Sequence, residues 1–99
     1  MYRIFFSEGV ENDIMGISAF YRRTILDSIK QQRTHEPAKP TKRRKALKRL
    51  VPPWNTVPPI WELRVGNYRI FYDVSEEEKT VYIRAIRKKP PGKTTEEIV

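Results

Sequence analysis

The sequence predicts an α+β fold in which one antiparallel sheet packs against a long helix, and three observations carry that prediction. Apolar residues recur at steps of three and four through residues 8–31, the period of an amphipathic helix. Two strand-like runs, 60–65 and 68–74, are separated by only Gly66 and Asn67, the spacing of a tight β-hairpin. A third run spans about 79–87 before Pro90, Pro91 and Gly92 end it. The 99 residues suit one domain over 1–99, with room for one sheet and one helical layer but no second core.

From the N-terminus, residues 2–6 (Tyr-Arg-Ile-Phe-Phe) are aromatic and branched and read as a short strand. Ser7 is a candidate N-cap, with Glu8, Glu11 and Asp13 early in the following helix. Val10, Ile14, Ile17, Tyr21 and Ile25 form its apolar stripe, while Met15 and Leu26 fall off it. Between 33 and 59 six prolines punctuate the chain, so a helix there must be short. Thr41 is placed to cap one or two turns through about Arg49, with Leu47 and Leu50 inward. The Pro-Pro pairs around Trp54 predict an extended, basic connector over the surface. After the three-stranded meander, Thr94 followed by Glu97 has the spacing of a capping box.

A two-residue turn fixes the hairpin register. Val65 should face Tyr68, Arg64 should face Arg69, Leu63 should face Ile70, and Glu62 should face Phe71. Alternation then gives one apolar face of Trp61, Leu63, Val65, Tyr68, Ile70, Tyr72 and Val74, which the helix can cover. Leu63, Ile70 and Ile83 are expected to bury against Ile14, Ile17 and Tyr21. The other face carries Glu62, Arg64, Arg69, Phe71 and Asp73. On the third strand Val81, Ile83 and Ala85 suit the core, which sends Tyr82 and Arg84 to the polar side. The opposed Arg64 and Arg69 repel each other mildly; a bound anion would relieve them, and Glu62 with Asp73 offers the alternative of a solvated charge lattice.

Charge points the same way. Lys+Arg number 20 against 12 Asp+Glu, a formal net charge of +8. Twelve of those cations crowd two stretches, 39–49, which contains no acid, and 84–93. Such clusters attract phosphate chains and release their counterions on binding, and an acidic protein would serve as well. Without cysteine, disulfides and thiolate metal sites are excluded, and one histidine, His35, argues against zinc. There is no long apolar run and no signal-peptide pattern, so a cytoplasmic protein without a membrane partner is expected.

The run from Trp61 to Val74 (apolar–Arg–apolar strand, Gly-containing turn, Tyr-Arg, two apolar residues, Tyr) resembles the central hairpin of RelE/ParE family toxins. Ala46-Leu47-Lys48-Arg49-Leu50 resembles the basic segment preceding it, and the order of elements also fits a RelE-like fold. The resemblance implies a toxin of a type II toxin–antitoxin module, held inactive by a cognate antitoxin. It further implies a ribosome-dependent endoribonuclease that cuts mRNA and inhibits translation without a metal or other cofactor. Arg69 matches the family's phosphate-binding arginine and Arg64 a supporting basic position. Lys45 and Lys48, with Arg49 beside them, fall where members place a base or basic ligand. Lys88 and Lys89 follow the last strand, near another cation of the family, and Tyr82 and Arg84 are candidate RNA contacts.

Two departures keep alternatives open. Glu62 stands where some members carry a catalytic lysine, either as a base or as a surface carboxylate. The tail from Lys88 to Thr95 lacks the His or Tyr that others use as acid or base. A ParE-like inhibitor of DNA gyrase is therefore a second reading. A non-catalytic RNA-binding module, stacking bases on exposed aromatics such as Trp54, is a third.

Overall fold

A computed structural model describes residues 1–99. The elements are β1 (Arg3–Phe6), α1 (Val10–Met15), α2 (Ala19–Gln31), β2 (Arg44–Leu47), β3 (Ile60–Val65), β4 (Tyr68–Ser75), β5 (Thr80–Lys88) and α3 (Thr95–Ile98). They build one five-stranded sheet of order β1-β5-β4-β3-β2. The meander β3–β5 is antiparallel throughout, and β1 joins the outer edge of β5 in parallel. The expected hairpin register is observed pair for pair, Arg64 opposite Arg69 included. Gly66 takes φ 58 while Asn67 keeps a negative φ, as a type II′ turn requires.

The single helix expected over 8–31 is two helices. Gly16 caps the end of α1, and Ser18, in extended conformation, starts α2. The break shifts the helical phase. Ile25 and Ile29 turn into the core with Val10 and Ile17, Leu26 packs against it, and Tyr21 is 52% exposed instead of buried. Ser7 is not the N-cap either. Gly9 takes that position with φ 93, and the Ser7 hydroxyl accepts a hydrogen bond from Arg84.

The basic segment expected to be helical after Thr41 is the edge strand β2, paired antiparallel with β3. The Thr41 hydroxyl does accept the backbone N–H groups of Arg43 and Arg44 at 3.2 and 3.1 Å, but no helix follows it. Tertiary pairing decided the element, because β3 otherwise presents an open edge. Period-two alternation follows: Ala46 faces the main core and Leu47 the opposite side of the sheet. Arg44 is buried, its guanidinium donating to the Gln32 side chain and the Glu36 carbonyl. Beside it the Tyr72 hydroxyl donates to the Pro37 carbonyl at 2.6 Å.

The expected face of Trp61, Leu63, Val65, Ile70 and Tyr72 does form the main core. The reverse face, expected to be polar, has a second core. Ile60, Phe71 and Ala85 are buried there beneath Leu47, Leu50, Trp54, Ile98 and Val99. Ala85 reaches this side because Phe71 pairs with Ala85 but Tyr72 with Ile83, a β-bulge that leaves Arg84 as the extra residue. Trp54 packs on Phe71 with ring centroids 6.0 Å apart and is half-buried, not an exposed platform. The connector and the C-terminal turn thus make a partial third layer, where one helical layer had been expected. No helix is long and apolar enough to cross a membrane.

Candidate functional site

The third layer stops short of the hairpin end of the sheet, and a cleft of about 360 Å³ opens there. None of its ten lining residues is hydrophobic. Seven are cations: Lys42, Arg43, Arg44 and Lys45 from β2 and its approach, Arg64 from β3, Arg69 from β4, and Lys89 from the tail. Glu62 is the single acid, and Thr41 and Thr95 complete the wall. β-Alternation explains the convergence, since Lys45, Glu62, Arg64 and Arg69 project from the same face of three neighbouring strands.

Arg69 is oriented by the hairpin itself. Its Nη1 donates to the carbonyls of Gly66 and Tyr68, each at 3.0 Å. Its Nε and Nη2 have no protein acceptor, so a fixed guanidinium keeps donors free for an anion. Arg64 is exposed and makes no side-chain bond. Lys89 is anchored through its backbone, which donates to the Asn67 carbonyl at 2.6 Å and ties the tail to the turn.

Glu62 is not a surface carboxylate: it is 4% exposed and no part of a solvated lattice. Its Oε2 accepts the Thr95 hydroxyl at 2.7 Å, and Lys45 Nζ lies 3.5 Å from Oε1. Asp73, the other supposed lattice member, is wholly buried and saturated by Arg84 at 2.7 and 3.1 Å and by Thr56 at 2.8 Å. No cluster of His, Cys, Asp or Glu of metal-binding size is present.

Of the residues singled out from sequence, Glu62, Arg64, Arg69, Lys45 and Lys89 meet in the cleft. Lys48 and Arg49 lie exposed in the turn after β2, and Lys88 is exposed opposite Tyr68; none lines the cleft. Arg84 is engaged with Asp73 and stacks over the Tyr82 ring at 4.7 Å. Tyr82 itself donates to Glu78, which pushes its pKa up. Sequence reasoning missed Lys42 and Arg43, and with them Arg44, Thr41 and Thr95, as lining residues. The first two were visible as part of the acid-free basic run; Thr95 was visible only as the start of a capped turn.

Fold and cleft together define a small basic α+β protein with a cation-lined cleft at the hairpin end of its sheet. A family model described as "ParE toxin of type II toxin-antitoxin system, parDE" matches residues 4–89, and the chain belongs to that family, within the RelE/ParE toxins. It is similar in fold to RelE in the RelE–RelB complex of Pyrococcus horikoshii, with TM-score 0.70 and 21% identity over 94% of this chain and 98% of that one. The isolated Escherichia coli RelE toxin gives TM-score 0.67 at 14% identity, covering 94% and 89%. The RelBE2 toxin–antitoxin complex of Mycobacterium tuberculosis gives 0.66 at 18%, covering 89% and 98%. At these identities the likeness is one of fold. No curated protein matches the chain significantly.

Proposed function

We propose that this type II toxin is a metal-independent, ribosome-dependent mRNA endoribonuclease whose chemistry takes place in the hairpin-end cleft. The observation that carries the reading is a cleft lined by Lys45, Arg64, Arg69 and Lys89 with Glu62 as its single acid. Phosphate attack concentrates negative charge on non-bridging oxygens, and preoriented guanidinium donors stabilise that charge more in the transition state than in the ground state. Arg69 binds those oxygens and Arg64 assists, with Lys45 drawing the RNA backbone in. Glu62 removes the proton from a ribose 2′-hydroxyl. The 2′-oxygen bonds to the adjacent phosphorus, the bond to the 5′-oxygen breaks, and the Lys89 ammonium gives the leaving oxygen a proton. The products are a 2′,3′-cyclic phosphate and a 5′-hydroxyl. Lys48, Arg49 and Lys88, exposed outside the cleft, add long-range attraction for RNA.

The same surface suits an antitoxin with an acidic segment, which would neutralise the +8 chain and close the cleft. Induction in cells, followed by mapping of mRNA 5′ ends on ribosomes, tests the nuclease reading; co-purification with the product of an adjacent gene tests the partner. One observation favours a second reading, gyrase inhibition: the cleft contains neither His nor Tyr, and loss of a general acid or base typically costs about 10²–10⁴ in rate. Intact mRNA together with accumulated gyrase–DNA cleavage complexes after induction would establish that reading instead.

A further inference from the structure

The C-terminal turn reaches across the sheet to touch the one carboxylate of the cleft. Thr95 lies 33 residues from Glu62 in sequence, yet its hydroxyl donates to Glu62 Oε2 at 2.7 Å, and both residues are buried, at 8% and 4% exposure. The turn bearing Thr95 is itself fixed. Glu97 Oε1 accepts the Thr94 backbone N–H at 3.0 Å, and Ile98 and Val99 pack on the second core over Phe71. The contact therefore occurs within an anchored element.

The consequence for Glu62 is chemical. One carboxylate oxygen is occupied by Thr95, while Oε1 has only Lys45 Nζ at 3.5 Å, too long for a good hydrogen bond. The charged groups sharing the cleft with Glu62 are Lys45 from β2, Arg64 from its own strand, Arg69 from β4 and Lys89 from the tail, with Lys42, Arg43 and Arg44 along the wall. The neighbour directly opposite on β4, Phe71, is apolar. Without Thr95 the carboxylate would be free to rotate onto these cations. We infer that Thr95 is a positioning residue: its hydroxyl holds Glu62 so that Oε1 faces the cleft as the proton acceptor for the 2′-hydroxyl. The inference rests on the nuclease reading above. It makes the C-terminal turn part of the site.

The test compares wild type, Thr95→Ala, Thr95→Ser and Glu62→Gln on mRNA-programmed ribosomes. Single-turnover cleavage is followed, and affinity is measured for the same mRNA carrying a 2′-deoxy residue at the cut site. Thr95→Ala should cut about 10–100-fold more slowly, the effect of losing one hydrogen bond to a charged group, with the affinity for the 2′-deoxy mRNA unchanged. Thr95→Ser should restore the rate, and Glu62→Gln should be the slowest of the set. Equal rates in wild type and Thr95→Ala would overturn the inference while leaving the nuclease reading intact. So would a slow Thr95→Ser, or a loss in Thr95→Ala explained wholly by melting. A wild-type protein that binds the programmed ribosome without cutting overturns both.

Discussion

Asp73 and Glu62 are both buried carboxylates on the same face of the sheet, but their surroundings differ. Asp73 accepts three hydrogen bonds, two from one guanidinium, and is fully enclosed. Glu62 accepts one hydroxyl, keeps an ammonium at longer range, and borders a cation-lined cleft. Burial alone therefore does not make two carboxylates equivalent. What distinguishes them is how many of their oxygens the fold has already satisfied. The end of the face that carries Asp73 is closed by the connector, and the end that carries Glu62 is left open at the hairpin.

Arg84→Ala breaks this comparison from the structural side and should have the largest effect on stability. It strands the Asp73 charge in a closed site, and removal of one partner from a buried pair costs about 3–5 kcal/mol. A steep fall in the thermal midpoint is expected, and a paired Arg84→Met, Asp73→Leu replacement should recover most of it. If Arg84→Ala melts as wild type does, Asp73 is not a structural acid and the contrast with Glu62 disappears.

Arg69→Ala probes the open end. Activity should fall by about 10²–10³ for loss of one preorganised donor, measured as growth inhibition and as cleavage rate. Stability should hold or rise slightly, because the substitution removes one of two opposed like charges. A folded Arg69→Ala protein with full toxicity would remove the phosphate site from the mechanism.

These two ends of one face were unequally legible. A two-residue turn determines register by geometry, so the Arg64–Arg69 pair could be written from Gly66-Asn67 alone. The apolar side of that hairpin followed from alternation, and the family pattern of the run to Val74 pointed to Arg69. The closed end was illegible because it depends on long-range packing. Nothing in the order Pro-Pro-Trp-Asn-Thr says that Trp54 will lie on Phe71 or that Thr56 will reach Asp73. The bulge at Arg84 was equally hidden, and it moved Ala85 to the other face. The break at Gly16 and Ser18 was hidden as well, because an apolar stripe runs across it and masks the change of phase.

Tyr72→Phe should have an intermediate effect and sharpens the picture of the covered face. The lost hydroxyl leaves the buried Pro37 carbonyl unpaired, at a cost of about 1–3 kcal/mol. It also changes the response to alkali. Burial pushes the Tyr72 pKa up to about 12, against a moderating pull from Arg44. The unfolded chain releases this proton near its ordinary value of 10.0, while the folded chain keeps it to about 12. Above pH 10 the unfolded state thus binds fewer protons, and wild-type stability falls as pH rises through that window. Denaturant titrations at several pH values should show a shallower alkaline decline in Tyr72→Phe. Some slope persists, since Tyr2 and Tyr82 are also raised, by hydrogen bonds to Glu76 and Glu78.

His35→Ala should change least, and its small effect bears directly on which group in this toxin moves protons. The ring is exposed, and Nδ1 lies 2.7 Å from the Gln31 carbonyl at the end of α2. It borders a neighbouring depression that shares Arg43 and Arg44 with the cleft but includes neither Glu62 nor Arg69. Surface substitutions of this kind usually stay within about 0.5 kcal/mol, so the melt should not move. If Glu62 is the proton acceptor, cleavage and its pH profile should also match wild type. A cleavage rate reduced tenfold or more in a normally folded His35→Ala protein would transfer the role of base from Glu62 to His35. It would also leave Glu62 as a second structural acid alongside Asp73.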